Sequence, residues 1–242
     1  MSAGDPSSID TTLLQIQRTI PIRKVVYRQA RLATRRRILD AGAGTGLVSE
    51  EIASRTGSEV VALDKVCFEN PVKWIHRVTG VIEKMPFKPE AFDAVVFNFV
   101  VLWLTDPVAA LREASRVLSK DGVLLFLAEP DLTRRCDEPD TGLGRMIAET
   151  VKKVGGNPDA GSLLEGWLRK ACFLPGIHTV QDEWVNISEP AEVLEEIDFL
   201  MKAGTIDRKE RARLVSIERE AVLSGKRRVL LPLTFGIANR QL

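Results

Sequence analysis

The chain has 242 residues, 45% hydrophobic and 28% charged, with a formal net charge of +1. That is enough apolar mass for a sizeable core, and it gives no global field of the kind that draws nucleic acid or an anionic membrane. No apolar run approaches the roughly 18 to 20 residues of a bilayer span, and "MSAGDPSSIDTT" has neither the basic stretch nor the apolar core of a secretory signal, so a cytoplasmic protein is expected. The three cysteines, Cys67, Cys136 and Cys172, are widely spaced, which suits a reducing compartment; with only His76 and His178 and no Cys-x-x-Cys spacing, no metal site is expected.

Residues 1–10 read as a tail. From Thr11 to Arg37 every charge is basic: Arg18, Arg23, Lys24, Arg28, Arg31, Arg35, Arg36 and Arg37. The interleaved Leu13, Leu14, Ile16, Ile20, Val25, Val26 and Leu32 predict helices with one buried and one solvated face, with RNA or phosphate binding as the alternative use of the basic face. From Ile38 apolar strands alternate with helices, the pattern of a doubly wound α/β sheet with parallel strands. "RILDA" predicts a first strand, "LVSEEIASRTG" a helix ended by Gly57, "EVVALD" a second strand, Arg77–Gly80 a short third and "FDAVVFN" a fourth. "TDPVAALREASRVLSKDG" predicts a helix capped by Thr105 or Asp106, with Pro107 in its first turn and Gly122 past its end. "VLLFLAEP" is apolar throughout, as a centrally buried parallel strand should be.

After Asp131 a polar connection, "DLTRRCDEPDTG", leads to helices expected near 143–154 and 161–172. "IHTVQDEWVNIS" predicts one strand, Ser188 a cap for a helix over 190–202, Asp207 with Glu210 a capping box for a helix to about 223, and "RRVLLPLTFGIA" a final strand. The apolar content of the later helices, including Leu143, Met146, Ile147, Leu163, Leu164, Trp167, Leu168, Phe199, Leu200 and Met201, is expected to enclose a small, partly apolar acceptor, to pack on the sheet, or both.

The chemistry sits in "RRRILDAGAGTGLVSEEIA". A strand ending in Asp40, then Gly42, Gly44 and Gly46, then a helix, brings backbone close to a ligand at the carboxyl edge of the sheet. Asp64, eighteen residues after Gly46, ends the next strand, where it can accept hydrogen bonds from vicinal ribose hydroxyls. A dinucleotide and S-adenosylmethionine both carry such a ribose. Leu47, three residues beyond Gly44, is too bulky for the dinucleotide fingerprint, and a carboxylate at Asp40 suits the ammonium of a methionine better than a pyrophosphate.

"ILDAGAGTG" resembles the first motif of class I S-adenosylmethionine-dependent methyltransferases. The stretch "VIEKMPFKPEAFDAVVFNFVVLWLTDPVAALREASRVLSKDGVLLFLAEPD" resembles the ubiquinone/menaquinone-biosynthesis branch, so that residues 36–131 carry the likeness closely and 160–238 only weakly. The resemblance implies a Rossmann-like sheet of seven strands with N-terminal helices over 1–34, a methyltransferase domain over 35–242 and acceptor-side helices at about 140–172 and 190–223. It implies S-adenosyl-L-methionine as cofactor, held at the methionine end by Asp40, Ala41, Gly42, Gly44 and Gly46 with Asn98 beneath, at the ribose by Asp64 and Lys65, and at the adenine by Ile82 and Glu83. Met85 and Phe87 follow in the next turn, where core packing is the other reading.

The chain departs from the family pattern in three places. Val81 replaces the adenine-side aspartate, "KVCFENPVKWIHRVT" is short enough to stunt the second helix, and Leu102 and Trp103 stand where a histidine pair is common. In-line methyl transfer is served mainly by alignment, and a base is needed only if the acceptor must lose a proton. Among Asn98, Trp103, Glu129 and Asp131, Glu129 is the carboxylate expected to serve as one, helix capping being its other reading. "NFVVLW" lacks the Asn/Asp-Pro-Pro-aromatic pattern of enzymes that methylate base amines. A small-molecule acceptor is therefore expected first, RNA or protein docked on the basic segment second, and a non-catalytic cofactor-binding module third.

Overall fold

A computed structural model of the chain describes residues 9–66 and 74–241, with side chains from Arg18 onward. Its elements run in order as helix α1 (Ile9–Gln29), strand β1 (Ile38–Ala41), α2 (Leu47–Thr56), β2 (Val60–Asp64), β3 (Ile75–Thr79), β4 (Phe92–Phe97), α3 (Pro107–Val117) and β5 (Leu118–Pro130). They continue as β6 (Cys136–Glu138), α4 (Leu143–Lys153), α5 (Ala160–Lys170), β7 (Phe173–Val180), β8 (Trp184–Asn186), α6 (Pro190–Lys202), α7 (Arg208–Leu223), β9 (Arg228–Leu230) and β10 (Leu233–Arg240).

The main sheet has the order β3-β2-β1-β4-β5-β10-β7. The first five strands are parallel and β10 runs antiparallel to both β5 and β7. The chain builds outward from β1 through β2 to β3, then returns to β4 on the other side of β1. This switch opens a crevice at the carboxyl ends of β1 and β4, the place where open α/β sheets bind ligands. Burial on both faces explains the continuous apolar runs: Ile38, Val96 and Leu125 pack with Val26 and Ile52 on one side, while Leu39, Val95 and Phe126 pack with Leu111, Leu164 and Leu200 on the other.

The predicted helices and strands are present, with five differences. The basic N-terminal stretch forms one long helix, α1, that starts at Ile9 within the expected tail and keeps Pro21 in its interior, followed by a single 3-10 turn at Leu32–Thr34. Helix α3 begins as expected, with the Asp106 carboxylate accepting from Ala109 N–H at 2.9 Å, but stops at Val117. Leu118 is fully buried with an extended backbone, so β5 starts there and Gly122 lies inside the strand. Glu189, not Ser188, occupies the position before α6: Pro190 opens the helix, its missing N–H falling where none is needed. At α7 Asp207 accepts from Glu210 N–H at 2.8 Å, while the Glu210 side chain turns to Arg213, leaving half of the capping box. The expected stunted helix after β2 lies outside the described residues, which pause between Val66 and Trp74.

The fifth difference adds a second sheet. The two late segments read as single strands are each broken in two, at the exposed Gln181–Glu183 and at Leu231–Pro232, where proline has no N–H to continue a ladder. The far pieces form a second sheet with the order β6-β9-β8. Strands β5, β10 and β7 are neighbours in that same order, so the small sheet is these three strands continued past a bend. Its inner face presents Val229, packed with Ile187, Val193 and Val222 of α6, α7 and their approaches.

Charged side chains pin this sheet to α7 and α6. Arg227 is fully buried and reaches Glu218 at 2.5 Å and Asp137 at 2.6 Å; Arg135 joins Asp137 at 2.9 Å and Glu196 at 2.7 Å. Thr141 donates to the other oxygen of Glu218. Removing one partner of a buried ion pair strands the other charge in a low dielectric. Arg227→Met is therefore expected to lower the unfolding free energy by about 3–5 kcal/mol in a urea titration; a loss below about 1 kcal/mol would show that the network carries little of the fold.

Candidate functional site

Strand β1 ends at Ala41 and the chain turns through Gly42, Gly44 and Gly46, all with positive φ. Two of these glycines are required by what lies over them. A Cβ on Gly42 would stand 2.5 Å from Val100 Cγ2, and one on Gly46 would stand 2.6 Å from Nη2 of Arg77. Over Gly44 there is nothing within 4 Å. The turn takes its shape from β2: Leu63 carbonyl accepts from the N–H groups of Gly42 and Ala43 at 2.7 and 3.0 Å, and Asp64 Oδ2 accepts from Gly44 N–H at 2.8 Å. The other Asp64 oxygen accepts from Val66 N–H at 3.0 Å.

Asp40 lies beneath the turn. It is 2% exposed, and Ser49 donates its hydroxyl to Oδ2 at 2.6 Å. Burial pushes its carboxyl up to about 6, helped by the charge of Asp64 and opposed by the Ser49 hydrogen bond and by Arg77. Arg77 pairs in register with Ala62, which itself pairs with Asp40, so all three side chains share one face of the sheet. Its Nη2 donates to Thr45 carbonyl at 3.0 Å. Lys65 is exposed and Glu83 half-buried, whereas Ile82 is 7% exposed and belongs to the core. Met85 is buried, and Phe87 meets Phe92 edge-on at 4.9 Å, so both pack the core. Arg116 fixes this turn by donating to the carbonyls of Phe87 and Met85 at 2.8 and 3.1 Å.

After β4 comes Asn98, half-buried, with an Oδ1 that is shielded from solvent and has no hydrogen-bond partner. Phe99 follows at φ 55°, an unusual backbone for a bulky residue. A 3-10 turn over Val101–Trp103 then begins on Glu129. Glu129 is fully buried at the end of β5, and its two oxygens accept from Val100 and Val101 N–H at 3.1 and 3.0 Å. Burial pushes its carboxyl up to about 8, while the N–H groups of Val100, Val101 and Leu102 pull it back. The same loop is held by Asn157, whose N–H reaches Leu102 carbonyl and whose side-chain amide reaches Leu104 carbonyl, both at 2.7 Å. Trp103 meets Phe199 of α6 edge-on at 6.1 Å.

The turn, Asp40, Asp64 and Asn98 thus come together at the switch point, with the exposed Lys65 next to Asp64, while Glu83 follows β3. Other candidates lie elsewhere or are committed. Asp131 accepts from Thr133 and Ser162, and His76 pairs with Glu59 on the exposed edge strand at 3.1 Å. His178, Trp74 and Trp184 are exposed. Arg35–Arg37 precede β1 at the opposite edge of the sheet, where Arg35 and Arg37 donate to main-chain carbonyls of Ala30, Asp121 and Glu90. Of the apolar residues expected around an acceptor, Leu143, Ile147, Leu164, Leu168, Phe199 and Leu200 are core, and Leu163 is exposed. Among the described residues no group of three His, Cys, Asp or Glu side chains is placed to hold a metal ion, and no helix is long and apolar enough to cross a membrane.

Three side chains at this site carry no clear signal in the sequence. Ser49 reads as a helix residue, Arg77 as a surface charge on an edge strand, and Val100 as one more apolar position. Strand register places Arg77 there, the first turns of α2 place Ser49, and the loop held by Glu129 places Val100.

Residues 39–126 match the family described as a methyltransferase domain. An uncharacterised methyltransferase of Schizosaccharomyces pombe is 28% identical over 175 residues, 63% of this chain and 62% of that protein. The demethylmenaquinone methyltransferase of Mycolicibacterium paratuberculosis is 26% identical over 157 residues, 63% of this chain and 68% of that enzyme. The chain therefore spans somewhat less than two thirds of the first of these relatives. A Bacillus halodurans protein described as a methyltransferase superposes with a TM-score of 0.60 at 18% identity, covering 90% of this chain and all of the other, which speaks for the fold. Glycine turn, acid-ended second strand, sheet order and matched segment agree: residues 39–126 form a methyltransferase domain, with the sheet order and glycine turn of the class I S-adenosylmethionine-dependent kind.

Proposed function

We propose that the chain moves a methyl group from S-adenosylmethionine to a small, partly apolar acceptor in the cytoplasm. The observation that carries the cofactor half is a set of buried polar atoms without partners, Thr45 Oγ1, Arg77 Nε and Asn98 Oδ1, gathered around a turn whose Gly44 face is open. Buried polar atoms are ordinarily paired, and a ligand rich in ammonium, carboxylate and hydroxyl groups would pair these. When bound, the cofactor supplies an electrophilic methyl on a sulfonium whose departure leaves a neutral thioether.

In this reading the Ala41–Gly46 turn and Asn98 take the methionine end, Asp64 and Lys65 the ribose, and Ile82 and Glu83 the adenine. Asp40, sealed under the turn, acts on the ammonium by its charge. Glu129 serves as a positioning group: with both oxygens engaged by main-chain N–H groups, it holds the Val100–Leu102 segment against Gly42 and is not placed as a base. Alignment then carries the reaction, as an in-line displacement with a good leaving group permits.

Support for a small acceptor comes from the mycobacterial relative, named for demethylmenaquinone, and from the apolar residues Phe99, Val100 and Trp103 that follow β4. An RNA or protein acceptor docked on Arg35–Arg37 gains less support, because these residues lie about 13 Å of strand away from the turn and two of them are spent on carbonyls. The exposed thiols of Cys136 and Cys172 suit a reducing compartment. Incubating the protein with S-adenosylmethionine labelled in its methyl group and a cell extract, followed by size separation, should place label in the small-molecule fraction. Label in RNA or protein would overturn the acceptor class, and no calorimetric binding at millimolar cofactor would overturn the whole reading.

Asp64→Ala removes the acceptor of Gly44 N–H together with the ribose carboxylate, so binding of S-adenosylhomocysteine is expected to weaken about tenfold or more by calorimetry; affinity within twofold of wild type would remove Asp64 from the site.

Asp40 supplies a pH signature. Its folded-state pKa, about 6, lies above the ordinary carboxylate value, so the folded protein holds this proton longer than the unfolded chain. That contribution to stability is present at low pH and is lost as pH rises toward 6. A ligand ammonium favours the ionised form, so affinity for S-adenosylmethionine should increase as pH rises through 6 and level off above, with protons released on binding below it. Asp40→Asn should flatten both curves. A wild-type affinity that does not change between pH 5 and 7 would show that the ligand lies outside the field of Asp40.

A further inference from the structure

Arg77 lies outside the residues that the family resemblance brings to the cofactor. It sits on the edge strand β3, where His76 before it and Thr79 at the strand's end are exposed, yet its own side chain turns inward over Ala62. The guanidinium is fixed at one end by the 3.0 Å bond to Thr45 carbonyl and lies over Gly46, with Nη2 2.6 Å and Cζ and Nη1 each 3.2 Å from where a Cβ would stand. Among the described residues no carboxylate forms an ion pair with it. Its Nε is shielded from solvent and has no acceptor.

With Ala43, Gly44, Ala62, Asp64, Val66 and Val78, Arg77 lines a hollow of about 10 Å³. That is room for one water-sized group. Two of its walls are polar and opposite in kind. Arg77 offers an N–H, and each Asp64 oxygen, having accepted one main-chain N–H, keeps a lone pair. A hydroxyl is the group that satisfies both, since it donates one hydrogen bond and accepts another. Of the cofactor's parts only the ribose carries hydroxyls.

We infer that Arg77 is a specificity-determining residue that reads one ribose hydroxyl together with Asp64: the carboxylate accepts the hydroxyl hydrogen and Arg77 Nε donates to the hydroxyl oxygen. The inference rests on the cofactor reading given above and adds to it a second, cationic contact on the ribose. A planar guanidinium held by Thr45 keeps its side donor aimed, which a flexible ammonium does not. A site built to hydrogen-bond a hydroxyl rejects the analogue that lacks it, because the buried donor and acceptor are then left unpaired.

The test is calorimetric titration of wild type, Arg77→Met and Arg77→Lys with S-adenosylhomocysteine and with its 2′-deoxy and 3′-deoxy analogues. Wild type should bind the parent about tenfold tighter than one of the two analogues. Arg77→Met should bind the parent about tenfold more weakly and that analogue within about twofold of wild type, so that the preference disappears. Arg77→Lys keeps a cation near Thr45 carbonyl but has no side donor, and should lose the same preference, which guards against a folding defect in the apolar variant. An unchanged preference in both variants would overturn the inference and leave the hollow to a water molecule. Equal weakening of all three ligands would also overturn it, marking Arg77 as a support of the turn alone. If wild type binds none of the three, the cofactor reading fails, an outcome distinct from either of these.

Discussion

The carboxyl edge of the sheet is organised by Asp64, whose two oxygens are held by main-chain N–H groups from different segments, Gly44 in the turn after β1 and Val66 beyond β2. Hydrogen bonds to an ionised acceptor are shorter and stronger than neutral ones, and here they join the ends of two neighbouring strands. Leu63 carbonyl adds two more such links, from Gly42 and Ala43. The turn is thus cast against β2, and its glycines permit a backbone path that β2 dictates. The arrangement leaves one face of the turn open and polar while the opposite face is closed by Asp40 and Ser49.

A second acid, Glu129, does for the loop after β4 what Asp64 does for the glycine turn. It gathers the N–H groups at the start of the Val101–Trp103 turn, and this sets Val100 into the space above Gly42. Through Leu102 and Leu104 the same loop is bonded to Asn157 between α4 and α5, and through Trp103 it touches α6. The helices that follow the sheet are therefore in mechanical contact with the glycine turn by way of one buried acid and one valine. Two acids with nothing in common in the sequence, one half-exposed and one sealed, share the task of shaping backbone.

Much of this was legible beforehand, for physical reasons. Strand β1 and the middle of β5 are buried on both faces, so their apolar runs are unbroken, and Gly57, Asp106, Pro107 and Asp207 mark helix ends by local chemistry that needs no tertiary context. The turn was legible because glycine spacing reports close approach of backbone. What could not be read is whatever depends on pairing between distant strands. Arg77 belongs to the site only because β3 lies in register with β2 and β1. Glu129 had two readings, and only the Val100 and Val101 N–H groups at its oxygens favour positioning. The late strands look continuous in sequence because a bend between two sheets resembles one apolar run with a few polar residues in it. Pro232 was the available signal of that bend.

The small sheet also has a consequence for the order in which the molecule is completed. Its central strand, β9, pairs on one side with β6, and the partners Asp137 and Val229 are about ninety residues apart in the chain. Strand β10 stands at a similar remove from β5, with Gly236 opposite Phe126. Contacts of such long range form slowly, because the chain must surrender loop entropy before the pairing returns any stability. During synthesis the glycine turn, β2, β4 and most of β5 exist well before β9 and β10 are made. The glycine turn can thus take shape on a nascent chain before the small sheet is complete. The buried Arg227, which enters just ahead of β9, supplies the cation for Glu218 and a second one for Asp137, which Arg135 already holds.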